Sequence, residues 1–440
     1  MTPDPNQHTA AARLPPLATD RFDVGSAEDS LERLIAAARD GGGLFRIHAP
    51  GRGSDTWIVN NPADIKRVLV TNHRNYTKGV GLDRVRILLG DGIMTSEGDT
   101  WRRQRRMIQP FFHKRAVERF ASRIAGCVDR RLQLWEPLAA SGAPVDITEQ
   151  MSELTLDIIV AAIFGDDVEW LNARSGGNPF GIVTEESARD LRFAYKFRSL
   201  SRLVQELVAR RHAEDGEHYD FLAMLMAARD KDSGEPMSER ELIDEVMTLV
   251  VAGHETTASA LGWTWFLLAR HPEAQQRLHA ELDARPERAV LSIEDSESFA
   301  YARGVLQEAM RLYPPGWILS RRTIGPDTLS GFAIPAGTDV MLSPYLIQRD
   351  AHHWERPEEF RPERFIDAAD PRDSWIYIPF AAGPRHCVGE NFAMYEMTVH
   401  VTRVARRWRL EYVDDGPVEL EAAINLRARR HLRVRLVPRH

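Results

Sequence analysis

The chain has 440 residues, of which 43% are hydrophobic and 28% charged, and its formal net charge at pH 7 is −7. These proportions exclude a disordered or collagen-like chain, and the negative balance gives no general attraction to nucleic acid or an anionic membrane. Two cysteines, Cys127 and Cys387, are too few for a disulfide framework and point to a reducing, cytoplasmic setting.

The N-terminal MTPDPNQHTAAARLPPLATD lacks a basic region followed by an apolar stretch, so residues 1–20 read as a peripheral extension, not a signal peptide. No apolar run approaches the roughly 20 residues that span a bilayer. Residues 43–50 and 56–60 alternate as a hairpin around GRGSD, and Asn61-Pro62 opens a short helix to Leu69. Helices are expected over 98–110, 114–138 and 148–164, the last stopped by Gly165. Residues 172–180 read as a loop which, with helices over about 183–191 and 195–213, would form a lid. The longest helical pattern covers 238–270, about 50 Å, with Ser238 and Glu241 at capping-box spacing. Its middle is apolar nearly all round, so it is expected to cross the core. A second hairpin is expected over 330–343, with Pro335-Ala-Gly337 as its turn, and strands this far apart in sequence could join one sheet. The expected architecture is mainly α with a small β region, one large domain over 1–440 with a long central helix.

Ala252, Gly253, His254, Glu255, Thr256 and Thr257 interrupt the apolar central helix. Glycine weakens a helix, so its presence implies a close approach to the backbone there. Thr256 either bonds back to the Ala252 carbonyl or donates into a cavity. A buried carboxylate needs a partner or water. Glu255 and Thr256 together would form a proton-delivery site; the plainer alternative is a back-bonded threonine and a solvated glutamate.

Phe380, Gly383, Arg385, Cys387 and Gly389 follow the spacing FxxGxRxCxG, ahead of a strong helix pattern. Cys387 thus falls at a helix N-terminus, where free N–H groups and the dipole favour a thiolate. One thiolate is too few for structural zinc but suits an axial haem ligand. Cys127, in an apolar helical pattern, reads as inert core.

This loop resembles the haem-binding signature of the cytochrome P450 superfamily, soluble bacterial type. Glu308-Ala-Met-Arg311 resembles the family's ExxR motif, Pro362-Glu363-Arg364-Phe365 its PERF motif, and AGHETT its oxygen-activating helix. The resemblance implies a P450 fold around buried haem b, with Cys387 as the iron ligand. Phe380 and Gly389 would shape the ligand loop, and Ala252 would lie over the haem. Trp101, Arg105, Arg321 and Arg385 would meet its propionates, with Arg322 a rival to Arg321. Glu308, Arg311 and Arg364 would form a structural triad. Leu88, Leu89, Gly316, Trp317, Ile318, Ile424 and Leu426 would face substrate, with Trp317 narrowing one side. That apolar set implies a lipophilic substrate: a terpenoid, fatty acid or polyketide.

The implied reaction inserts one oxygen atom of O2 by C–H hydroxylation or epoxidation, with Glu255 and Thr256 delivering protons. Without a fused reductase, electrons are expected from a ferredoxin or flavodoxin with its reductase. The basic run 101–119, opposed in sequence only by Glu118, is the expected docking site. It lacks the interleaved aromatics of a nucleic-acid site. Alternatives are oxidative coupling, a peroxygenase, or a haem-thiolate sensor or carrier without turnover; the retained acid–alcohol pair weighs against the last two.

Overall fold

The computed structural model describes residues 14–25, 28–184, 191–214, 216–366 and 371–439. The central helix runs over Glu239–Arg270. The Ser238 hydroxyl accepts from Glu241 N, and the Glu241 carboxylate accepts from Ser238 N at 2.8 Å. Beside it packs the helix Ile147–Phe164, capped by the Asp146 side chain. The close approach at Gly253 is made by that neighbour. A Cβ on Gly253 would stand 2.8 Å from Ile159 Cδ1, so the glycine lets two core helices meet.

The main sheet is ordered Leu17–Arg21, Leu44–Ala49, Ser54–Val59, Asp339–Leu342, Leu319–Thr323, Tyr76–Lys78. Leu44–Ala49 and Ser54–Val59 form the first hairpin. Ser54–Val59 also pairs in parallel with Asp339–Leu342, which joins the two ends of the chain in one sheet.

Several expectations are corrected. The hairpin over 330–343 does not form as read. Phe332–Ile334 folds back on Asp327–Leu329, while Asp339–Leu342 enters the main sheet. The turn falls at Ser330 and Gly331, both at positive φ, and Asp64 accepts from Ser330 N at 3.0 Å. Leu17–Arg21, within the supposed extension, is an edge strand paired with Leu44–Ala49; residues 1–13 lie outside the described residues. Residues 114–138 divide into Lys114–Glu118 and Ala121–Ser141. The helix Val168–Ser175 extends into the supposed loop 172–180, and the helix read over 195–213 forms as Leu191–Ala213. The rest of the expected lid, 185–190, lies outside the described residues. Among the described residues, no helix is long and apolar enough to cross a membrane.

Candidate functional site

The loop carrying Cys387 is set on the main sheet's flank. Gly383 has φ +71°, and a Cβ there would lie 2.1 Å from the Leu69 carbonyl oxygen, so only glycine fits this seat. Cys387 N donates to Phe380 O at 2.9 Å. Gly389 then caps the helix Glu390–Arg407, which puts the sulfur at its N-terminus. Burial pushes the Cys387 thiol up; the N–H groups of Gly389 and Glu390 and the charge of Arg105 act the other way. Desolvation therefore outweighs the helix end, contrary to the expectation from sequence. Cys387 is nevertheless exposed. Protein atoms crowd the thiol without covering the residue.

Cations gather around the same loop. Arg105 Nη1 donates to His386 O at 2.8 Å, and burial lowers its pKa. Arg385 is held by Glu97 through two contacts of 2.5 Å, with its guanidinium 5.0 Å from the Trp101 ring centre. Arg322 is taken up by Asp339 at 2.8 Å, whereas Arg321 is 8% exposed and donates only to Ser320 O among the described residues. Burial first, then the like charge of Arg385, pulls Arg321 down to about 10. Inward orientation thus belongs to Arg321, not Arg322.

Sequence reasoning missed Lys78. It lies opposite Arg321 across the strand pair, and burial lowers its pKa to about 7. Its ammonium donates to Ile93 O and Ser96 O at 3.0 and 2.7 Å. No local pattern marks it, because its neighbours come from strand pairing. An open sulfur beside desolvated cations with too few anions fits haem, which brings a metal cation for the one and two carboxylates for the other.

Glu308, Arg311 and Arg364 come together. Glu308 accepts from Arg311 Nε and Nη2 at 2.6 and 2.8 Å and from Arg364 Nε at 3.2 Å. Arg311 also donates to the carbonyls of Gln348, Pro357 and Glu359, tying the helix Ala300–Leu312 to the segment before Cys387.

On the central helix, the Thr256 hydroxyl donates to Ala252 O at 2.7 Å. Glu255 Oε2 accepts from Asn425 Nδ2 at 2.8 Å, a partner from the C-terminal hairpin that sequence did not signal. The carboxylate lines a cavity of about 120 Å³ with Thr148, Ser152, Thr184 and Ser259.

The substrate-facing set divides. Ile424 is 56% exposed and Leu88 is exposed, while Ala252, Gly316 and Ile318 are half-buried. Leu89, Trp317 and Leu426 are corrected to core. Trp317 is fully buried, its indole N–H bound to Ala423 O at 2.9 Å, so it narrows no open cavity.

The basic run 101–119 is also corrected, because folding supplies the acids that its sequence lacks. Arg102 pairs with Asp99, Arg103 with Glu241, Arg106 with Asp230 and Asp232, and Lys114 with Glu297. Arg119 lies over the Tyr219 ring. What looked like an open positive patch is largely neutralised.

Comparison with known proteins agrees with this arrangement. The cytochrome P450 family profile matches residues 21–207 and 186–423. Cyclooctatin synthase of Streptomyces melanosporofaciens is 33% identical over 84% of each chain. Pentalenene oxygenase of Streptomyces avermitilis is 28% identical over 99% of each. The crystal structure of the cytochrome P450DA heme domain superposes with TM-score 0.84 at 23% identity, over 98% of each chain, a likeness of fold. With its family profile, its fold and its cysteine loop in agreement, the chain belongs to the cytochrome P450 family of monooxygenases.

Proposed function

We propose that this enzyme is a haem-thiolate monooxygenase that inserts one oxygen atom from O2 into a lipophilic, terpenoid-like substrate by C–H hydroxylation or epoxidation. The observation that carries the reading is the exposed Cys387 near the charge of Arg105, together with a buried Arg321 whose guanidinium reaches only a backbone carbonyl. Cys387 would hold the iron of haem b, and Arg321, Arg105, Trp101, Arg385 and Lys78 would surround its carboxylates. Bound there, haem supplies the activation of O2 that oxygen insertion needs.

The chain's own residues do the rest. N–H groups at the start of Glu390–Arg407 support negative charge on the sulfur. Glu308, Arg311 and Arg364 hold the segment leading into the ligand loop. The Thr256 hydroxyl, now on the Ala252 carbonyl, turns to pass a proton, and Glu255 refills it. Ala252, Ile318, Leu88 and Ile424 offer apolar surface to the substrate. The names of relatives that act on pentalenene or make cyclooctatin support a terpenoid-like compound. Electrons come from an acidic one-electron carrier, a ferredoxin or flavodoxin with its reductase. Beside the cysteine loop, a cavity of about 340 Å³ carries the cations Lys66, Arg303 and Arg372 with the acids Asp373 and Glu390, and its excess of cations offers such a partner a contact near Cys387.

The test has two stages. The purified protein should contain haem and give the thiolate-type band in a reduced carbon monoxide difference spectrum, lost in Cys387→Ser. A panel of terpenoid hydrocarbons is then screened by spin-state shift, and the best binder is turned over with a ferredoxin system under labelled O2. One labelled oxygen atom in the product is the expected result. Haem-free active protein, label from water, or electron uptake without product would overturn the reading; the last would favour a sensor or carrier.

A further inference from the structure

We propose that Asn425 is a positioning residue for Glu255, and that the cavity both residues line is the route by which solvent protons reach the acid–alcohol pair. The proposal rests on the reading of Glu255 and Thr256 as a proton relay.

The cavity is lined by the helix Ile147–Phe164 through Thr148 and Ser152, by Val183 and Thr184 of Pro179–Thr184, by the central helix, and by the C-terminal hairpin and the chain after it. From the central helix come His254, Glu255, Ala258, Ser259, Gly262 and Trp263, with His254 Nε2 2.9 Å from Ser152 Oγ. Glu255, Ala258, Ser259 and Gly262, three, four and seven residues apart, form one helical stripe of that wall. Thr256 and Ala252 lie on the adjoining stripe, so Glu255 stands at the boundary between the cavity and the relay. A volume of about 120 Å³ accommodates about four waters, at roughly 30 Å³ each. Thr184 and Ser259, whose hydroxyls donate to Gly181 O and Leu426 O, keep oxygen lone pairs for those waters, and Thr148, which accepts from Leu432 N, keeps its proton for them.

Asn425 is presented by a fixed support. It stands in the turn between Leu420–Ala422 and Leu426–Ala428. Trp317 Nε1 donates to Ala423 O at 2.9 Å on one side of it. On the other, Ser259 Oγ and Trp263 Nε1 donate to Leu426 O at 2.6 and 3.1 Å, and Leu426 N donates to Pro315 O at 3.0 Å. The carboxamide therefore reaches Glu255 from a held backbone, and a donor held in place orients a carboxylate at little entropic cost. The neighbouring Ile424 is largely exposed, so the turn that orients the acid also offers an apolar contact to substrate.

In each passage, a proton from bulk solvent moves along the cavity waters to the Glu255 carboxylate, each water taking one proton as it gives another. The carboxyl then releases it to the Thr256 hydroxyl as that hydroxyl passes on its own proton. Glu255 returns to the carboxylate and to Asn425; the net change is one proton moved inward from solvent.

The test uses the haem-loaded enzyme. The carboxylate band of Glu255, isolated as wild type minus Glu255→Gln by difference infrared spectroscopy, should shift in Asn425→Ala and return in Asn425→Gln. With the hydrocarbon identified above and a ferredoxin system, Asn425→Ala should lower product per NADH about tenfold, the worth of one charge-assisted hydrogen bond. KM should hold, the solvent deuterium isotope effect on kcat should rise, and Asn425→Gln should restore part of the yield. Adding Asn425→Ala to Glu255→Gln should change nothing further. An unmoved infrared band, or equal losses in the wild-type and Glu255→Gln backgrounds, would leave Asn425 as a strut and overturn the proposal. If Glu255→Gln itself keeps wild-type yield, the relay reading falls and takes the proposal with it, a result distinct from an Asn425 failure alone.

Discussion

Arg321 should make the haem-free protein less stable and the haem-bound protein tighter, so replacing it should move the two in opposite directions. It is nearly buried, and its one hydrogen bond among the described residues goes to the Ser320 carbonyl. A guanidinium keeps its proton at neutral pH, so the cost of desolvation appears as lost stability. The fall from 12.5 to about 10, at about 1.4 kcal/mol per pH unit, corresponds to about 3 kcal/mol borne by the haem-free chain. Arg321→Met should return about 1–3 kcal/mol of it, read as a higher urea midpoint of the apoprotein by tryptophan fluorescence. The same change removes a charge-assisted bond to a haem carboxylate, of about 1.5–3 kcal/mol. Haem should then pass to excess apomyoglobin about ten to a hundred times faster. Arg322→Met is the control: it leaves the buried Asp339 with only Arg52, at 3.8 Å, so it should destabilise the apoprotein and leave haem transfer alone. A less stable Arg321→Met apoprotein with an unchanged haem transfer rate would refute the reasoning.

Glu308→Ala strands two guanidiniums in the interior and should cost about 3–5 kcal/mol in urea unfolding. Glu206→Ala, which breaks the exposed pair with Arg174, should cost about 0–1 kcal/mol, and similar losses in the two variants would contradict the assignment of the buried triad. Burial holds His254 down at about 4 and His400 at about 3, so the unfolded chain binds more protons below about 6.5. The stability these neutral histidines contribute is whole above that pH and is lost as pH falls toward those values, by up to about 1.4 kcal/mol per unit each. His254→Gln should flatten the urea midpoint between pH 7 and 5; an unchanged slope would rule His254 out as a source. Gly383→Ala must fit a Cβ against the Leu69 carbonyl at positive φ, so a folded protein with a low Soret-to-280 nm ratio is expected, and full haem occupancy would contradict this. Glu245 is pushed up to about 8, mainly by burial, and its carboxylate accepts from Ile93 N at 3.0 Å. Its contribution is present below about 4.5 and lost as pH rises through about 8, so Glu245→Gln should stabilise at pH 8.5 and not at pH 5. Equal effects at both would count against it.

What the sequence made legible is what depends on near neighbours. The cap of the central helix needs Ser238 and Glu241, three residues apart, and the ion pair of Glu308 with Arg311 has the same spacing. Asn61 and Pro62 open their helix from adjacent positions, with Asn61 Oδ1 accepting from Ala63 N. Failures began where an outcome depends on a distant partner. Residues 101–119 look basic because Asp230, Glu241 and Glu297 are far along the chain. Leu89, Trp317 and Leu426 have the right chemistry for a pocket wall, but apolar character alone does not distinguish a wall from the core behind it. Pro335 and Gly337 looked like a hairpin turn because a turn motif specifies a reversal, not which strands pair. Asn425 carries no signal of its own, and only the fold brings it to Glu255.

The unevenness of charge around Cys387 is itself an argument about what binds there. The thiol is held up by burial, which disfavours an anion, while Arg321 and Lys78 are held down by burial, which disfavours cations. Apolar packing would relieve neither, and a simple anion would answer only the cations. Glu97 meets part of the demand, since it grips Arg385 and accepts from Lys78 N at 2.6 Å, yet Arg321 is left on a backbone carbonyl. A ligand that relieves both must carry positive charge at the sulfur and negative charge at the arginine and lysine. Iron protoporphyrin has that distribution, and its binding should therefore stabilise the fold through both ends at once. An iron-free porphyrin that keeps the carboxylates should retain the contribution of the Arg321 end and lose that of Cys387. Comparing its effect on the urea midpoint in wild type and Arg321→Met separates the two: the stabilisation should shrink in the variant, and equal stabilisation in both would mean that Arg321 does not receive the carboxylates.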